Sequence, residues 1–145
     1  MARRFRFTGE WYVAAPVDVV ADVLVDLAAY PSWWPEVRAV ATLGPEDARV
    51  LCRSRLPYTL DLVLHATSTT PPLLEVSATG DLDGRVAWRL AETPTGTRLS
   101  LDQEVSVASR ALRTAAWAAR PLLAWNHEQM MRSGIAGLRG RLVRR

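Results

Sequence analysis

Four polar side chains stand apart from their surroundings: His127, Gln103, Ser54 and Tyr58. Each falls, by sequence periodicity, on a face otherwise built of apolar residues. A histidine facing an apolar interior can donate and accept a hydrogen bond and titrates near neutrality. It suits either holding a ligand oxygen or moving a proton. Its plainer reading is a satisfied core histidine. Gln103 is the single polar member of the inward set Leu99, Leu101, Val105 and Val107, and its amide oxygen can accept from a ring N–H. Ser54 shares a face with Val50, Cys52 and Leu56, and Tyr58 shares the parity of Leu60. The lone Cys52 reads as a small core residue rather than a nucleophile. His65 falls opposite Leu60, Leu62 and Leu64, beside Asp61 and Thr67, and so points outward. No zinc spacing, phosphate loop, Gly-rich dinucleotide turn or nucleic-acid recognition pattern occurs. No metal, no cofactor and no nucleic-acid partner are therefore expected.

The elements that must position these residues are legible as patterns. Residues 5–14, FRFTGEWYVA, alternate as a strand with Phe5, Phe7, Trp11 and Val13 on one face. Pro16 opens a helix in which Val20, Val23, Leu24 and Leu27 form an apolar stripe opposite Asp18, Asp22 and Asp26, and Tyr30-Pro31 closes it. Ser32 is expected to cap a further short turn through Trp33 and Trp34. Strands are then expected over 37–43, 48–56, 58–69, 73–82, 85–92 and 97–107, separated by turn chemistry, with Asp83-Gly84 as a hairpin turn. Short links pair strands antiparallel. Their apolar faces include Leu62, Leu74, Val76, Val86, Trp88 and Leu101, with Arg85, Arg89, Asp102 and Glu104 on the other side.

Such a sheet needs one covering layer. Residues 109–143 supply it as a helix interrupted at Pro121. At about 100° per residue, Ala124, His127, Met131, Gly134, Ile135, Leu138 and Leu142 share a stripe. His127 thus projects toward the sheet. Trp33 and Trp34, held between Pro31 and Pro35, either plug the core or line an opening.

The chain of 145 residues, 49% hydrophobic and 23% charged, suits one domain over 1–145. It shows no signal-peptide pattern and no apolar run long enough for a membrane helix, and one cysteine suits a reducing compartment, so a cytoplasmic location is expected. All 18 basic residues are arginine. From Val105 onward, eight arginines face one acid, Glu128. This excess reads either as a solvated helix face or as a weak contact with an anionic surface or an acyl-carrier protein.

The order of elements, with YPSWWPEV after the first helix, GTRLSLDQEV on the last strand and NHEQMMRSGIAGLRGRL on the final helix, resembles the START-like helix-grip (SRPBCC) superfamily, in its polyketide cyclase/dehydrase-type branch. The resemblance implies an α+β fold: a seven-stranded curved antiparallel sheet wrapped around a long C-terminal helix, with two short helices after strand 1. It also implies a deep cavity between sheet and helix, with Trp33 and Trp34 at its mouth. The ligand-binding set expected on that basis is Trp33, Trp34, Ser54, Tyr58, Leu62, Trp88, Leu101, Gln103, His127 and Met131. The function expected is binding of a hydrophobic small molecule (lipid, isoprenoid, quinone or polyketide-like), by a monomer or homodimer. The alternatives are a polyketide cyclase/dehydrase of the aromatase type and a protein-interaction module of the chaperone-activator kind. Cyclases of the superfamily are thought to use an interior arginine near a tyrosine. Here Arg53, Arg55 and Arg89 all fall on outward faces.

Overall fold

The computed structural model describes residues 4–53, 59–107 and 118–143. Seven strands form one curved sheet: β1 (Phe5–Val13), β2 (Val37–Thr42), β3 (Asp47–Cys52), β4 (Leu60–Thr70), β5 (Leu73–Gly80), β6 (Leu82–Thr93) and β7 (Gly96–Val107). Their order is β1-β7-β6-β5-β4-β3-β2, and every neighbouring pair is antiparallel. Helix α1 (Val17–Val25) and a 3₁₀ turn over Leu27–Ser32 carry the chain from one sheet edge to the other. Helix α2 (Arg120–Val143) closes the concave side. This is the expected helix-grip architecture.

Alternation decides which side of each strand faces α2. Phe5 and Val13 are buried at the ends of β1, and Val50, Leu74, Leu90, Leu99, Leu101 and Val105 are buried on the strands that follow. The convex face carries the charges. Arg6 and Arg85 both reach Asp102, at 3.1 and 3.2 Å, and Arg49 meets Asp61 at 2.6 Å. These pairs hold Asp102 and Asp61 below the ordinary aspartate range, chiefly through hydrogen bonds from the arginines. The outward His65 sits 2.8 Å from Asp47. Strand β1 is a sheet edge, and near its end Arg139 of α2 donates to the Tyr12 carbonyl at 2.8 Å, covering a backbone group that no further strand would satisfy.

Local signals and tertiary register disagree at three places. The expected Asp83-Gly84 turn lies inside β6, where Gly84 pairs with both Ala78 and Val105. The chain reverses earlier, at Gly80, whose φ of 111° suits glycine. The Asp81 carboxylate accepts from the Asp61 N–H at 2.8 Å and extends the β4 ladder. Glycine is still required at position 84, because a Cβ there would run into the Glu104 carbonyl oxygen. Secondly, α1 ends at Val25, before Tyr30-Pro31. The Tyr30 hydroxyl donates to the Leu24 carbonyl at 2.5 Å and tightens the chain into the 3₁₀ turn. Thirdly, Ser32 closes that turn instead of opening another, donating to the Ala29 carbonyl at 2.5 Å. The covering helix is described from Ala118 onward, with Pro121 in its first turn, where its missing N–H costs nothing. The earlier part of the expected helix, 108–117, lies outside the described residues.

Helix α2 buries Met131, Gly134, Ile135 and Leu138, as the stripe requires. Its two middle glycines receive the tryptophans. A Cβ at Gly134 would come within 2.5 Å of the Trp34 ring, and one at Gly137 would collide with the Trp33 carbonyl oxygen. Trp34 Nε1 donates to the Met130 carbonyl at 3.1 Å. Trp33 and Trp34 are stacked on each other, with Tyr30 against both.

Replacing a helical glycine by alanine ordinarily gains up to about 1 kcal/mol. At Gly137 the collision is with backbone, which cannot rotate away, and overpacking costs about 1–3 kcal/mol. Gly137→Ala is therefore expected to lower the unfolding free energy by about 1 kcal/mol or more. Urea denaturation checks this, and a midpoint at or above that of the parent would contradict it.

Candidate functional site

Strands β1, β7 and β6 lie side by side, and their registers bring one row of inward residues together. Phe7 is paired with Gln103, and Gln103 with Val86. One row along, Leu101 pairs with Trp88, and Trp11 stands 6.0 Å from Trp88, ring centre to ring centre. Helix α2 approaches β1 from above and places His127 and Met131 over this patch. The His127 imidazole stacks on Phe7, with centroids 4.0 Å apart and planes within 10°. Its Nε2 lies 3.1 Å from Gln103 Oε1. The expected His127–Gln103 pair is therefore formed, between α2 and β7.

Beside this pair runs an open groove of about 590 Å³ between β1 and α2. Phe7, Gly9, Trp11, Ala124, His127 and Met131 line it, and Arg6, Thr8, Glu10, Glu128 and Arg132 form its rim. Gly9 has a local cause: a Cβ there would collide with the Trp11 ring, which folds back over it. On the rim Arg132 pairs with Glu128 at 3.4 Å. Further along the concave face, Leu60, Leu62, Leu64, Val76, Val86 and Trp88 point inward yet are only half-buried. The described core leaves these apolar side chains incompletely covered.

Burial sets the protonation of the site. His127 is pushed down to about 4 because its charged form would be poorly solvated beside Phe7. It is a neutral ring at pH 7. Cys52 is pushed up to about 11 by burial, which leaves a thiol that is neither nucleophile nor ligand at neutral pH. Tyr30 is raised by burial and by nearby Asp26, so its hydroxyl keeps its proton. Arg6, Arg49, Arg85 and Arg89 stand on the convex face, and Arg53 is exposed. No group of three or more histidine, cysteine or acidic residues suited to a metal exists among the described residues. No helix there is long and apolar enough to cross a membrane.

Of the residues expected to bind ligand, the structure brings together Trp88, Leu101, Gln103, His127 and Met131. Leu62 lies on the same concave face, across the sheet on β4. Trp33 and Trp34 are 5% and 8% exposed and pack against Gly134 and Gly137, away from the groove. Ser54 and Tyr58 lie outside the described residues. Phe7 and Trp11 were placed on the inward face by alternation but not assigned to the site. Their membership depends on β1 being the strand beneath α2, which no local pattern reveals.

A neutral buried histidine makes stability depend on pH with a definite sign. Above pH 6.5 the ring is neutral in both folded and unfolded chains. Between 6.5 and about 4 the unfolded chain takes up a proton that the folded ring refuses, so stability falls as pH falls. Below that window both states are protonated and the effect levels off. His127→Gln is expected to lose on the order of 2 kcal/mol less than the parent across the window, allowing for the ring's partial access to water. Urea unfolding at the two ends of the window measures the difference, and parallel losses in both proteins would refute it.

Residues 4–143 match the family model described as polyketide cyclase/dehydrase and lipid transport. No curated protein matches the chain. Among solved structures, a protein of Thermus thermophilus superposes with a TM-score of 0.82 at 16% identity, over 96% of this chain and 97% of the other. A START superfamily protein from Mycobacterium smegmatis gives 0.78 at 17%, over 96% and 97%. The Zhui aromatase/cyclase from a Streptomyces species gives 0.76 at 18%, over 99% and 96%. These likenesses carry the fold. With the sheet, the covering helix and nearly the whole chain matched, the protein belongs to the polyketide cyclase/dehydrase and lipid transport family.

Proposed function

We propose that the protein binds a hydrophobic small molecule (a lipid, isoprenoid, quinone or polyketide-like compound) between the concave face of the sheet and α2. One observation carries this reading: the inward-pointing Leu60, Leu62, Leu64, Val76, Val86 and Trp88 are left half-buried, on the same concave face as an aromatic-floored groove of about 590 Å³. A sealed core would have buried them. The volume falls within the roughly 300–1,000 Å³ usual for small-molecule sites, and such sites combine apolar walls with a few orienting polar groups. His127 and Gln103 are those groups. The family description, which includes lipid transport, agrees. Trp33, Trp34, Ser54 and Tyr58 remain part of the proposed lining. A role confined to protein–protein contact would need no such opening.

The second reading, cyclisation or dehydration of a polyketide-like chain, is favoured by the family and by the Streptomyces aromatase/cyclase among the structural neighbours. Enolisation needs a base whose pKa lies near the working pH, with donors for the developing oxyanion. A histidine held at about 4 is a weak base at pH 7, and the strand guanidinium groups named above point away. Binding is the function this geometry equips best.

Native mass spectrometry of the purified protein, with solvent extraction, is expected to show a co-purifying apolar compound or uptake of an added naphthalene probe. Phe7→Ala removes the aromatic floor and should weaken probe binding roughly tenfold. Failure of the folded parent protein to take up either kind of molecule would overturn the reading.

A further inference from the structure

The His127–Gln103 contact restricts which kind of oxygen the site recognises. With the Gln103 amide turned so that Oε1 faces the ring at 3.1 Å, the imidazole Nε2 donates to it and carries the proton. A neutral ring with its proton on Nε2 has a lone pair on Nδ1. Nδ1 makes no hydrogen bond among the described residues. Nor is it one of their sealed, unpartnered polar atoms, which are Trp33 Nε1, Glu36 Oε1 and Thr93 Oγ1. It therefore stays within reach of another molecule. The ring cannot turn freely to offer Nε2 instead, because stacking on Phe7 fixes its plane and Gln103 fixes its rotation. The rim charges do not alter this, since Arg6, Glu10, Glu128 and Arg132 make no hydrogen bond to the ring and Arg6 and Arg132 are engaged with Asp102 and Glu128.

We propose that the ligand presents a hydrogen-bond donor (an enolic, phenolic or alcoholic hydroxyl) to Nδ1 of His127, with its apolar body along Phe7 and Trp11. This rests on the ligand-binding reading above and narrows it. A ketone or ether oxygen would bring its lone pairs against that of Nδ1 and gain nothing there. The site thus selects hydroxylated over carbonyl-only forms of one carbon skeleton.

Titration calorimetry with naphthol, methoxynaphthalene and acetonaphthone tests the idea, with naphthalene as the common apolar body. Naphthol is expected to bind about fivefold more tightly than methoxynaphthalene, the worth of one net hydrogen bond. His127→Phe should bring the two to equal affinity. Gln103→Leu frees the ring to carry its proton on Nδ1, and should raise acetonaphthone relative to naphthol. Nitrogen NMR of the unliganded protein should find the ring proton on Nε2. Equal or tighter binding of methoxynaphthalene by the parent, a naphthol preference that survives both substitutions, or a proton found on Nδ1 would overturn the hydroxyl proposal alone. If none of the three probes binds, the ligand-binding reading fails and takes this proposal with it.

Discussion

The contact between two adjacent tryptophans and two glycines of the last helix holds the rest of the structure in place. Trp33 and Trp34 lie directly after the 3₁₀ turn, and Gly134 and Gly137 lie one helical turn apart on α2. Each tryptophan removes about 150–250 Å² from water, worth roughly 4–6 kcal/mol before entropic costs. Because the glycines lack side chains, the rings and the Trp33 carbonyl approach the helix axis closely. That closeness sets the height of α2 above the sheet. The height in turn decides that His127, two turns earlier on the same helix, meets Gln103 instead of solvent.

The two ends of α2 consequently differ. Toward its C-terminus Ile135 and Leu138 are buried and the packing is tight. Toward its N-terminus Ala124 is exposed and Leu122 and Trp125 keep substantial access to water. The groove over β1 lies toward this less covered end, where Ala124 and His127 line it. The site is therefore a consequence of packing elsewhere, and the side chains lining it come from elements that need not fit one another closely.

Electrostatics follow the same division. Charged groups cluster on the convex face, where exposed pairs contribute little each but keep carboxylates and guanidinium groups out of the interior. With Arg6, Arg49, Arg85 and Arg89 on the convex face, His127 stands as a neutral polar group beside Phe7. Its stack on Phe7 and its bond to Gln103 orient it without charging it. A site of this kind discriminates by hydrogen-bond polarity rather than by charge, which suits an uncharged, mostly apolar ligand.

Strand alternation by itself determined which residues of β1, β4, β5, β6 and β7 face inward, because a side chain's face in a strand depends only on parity. Helical periodicity likewise placed His127 and Met131 on the buried stripe of α2. Together these sufficed to pair His127 with Gln103, since each was the polar exception on its own apolar face. Family likeness supplied the sheet's closure around the helix. Three things were settled only by the tertiary structure. The β5–β6 reversal fell at Gly80 and not at Asp83-Gly84, because both are good turn sequences and only the register with β4 and β7 separates them. Trp33 and Trp34 came to rest against Gly134 and Gly137, about a hundred residues away in sequence, because a short apolar segment carries no record of what will cover it. Phe7 and Trp11 became the floor of the groove because β1 is the edge strand beneath α2. Parity fixes a face locally, whereas the neighbour across that face depends on the path of the whole chain.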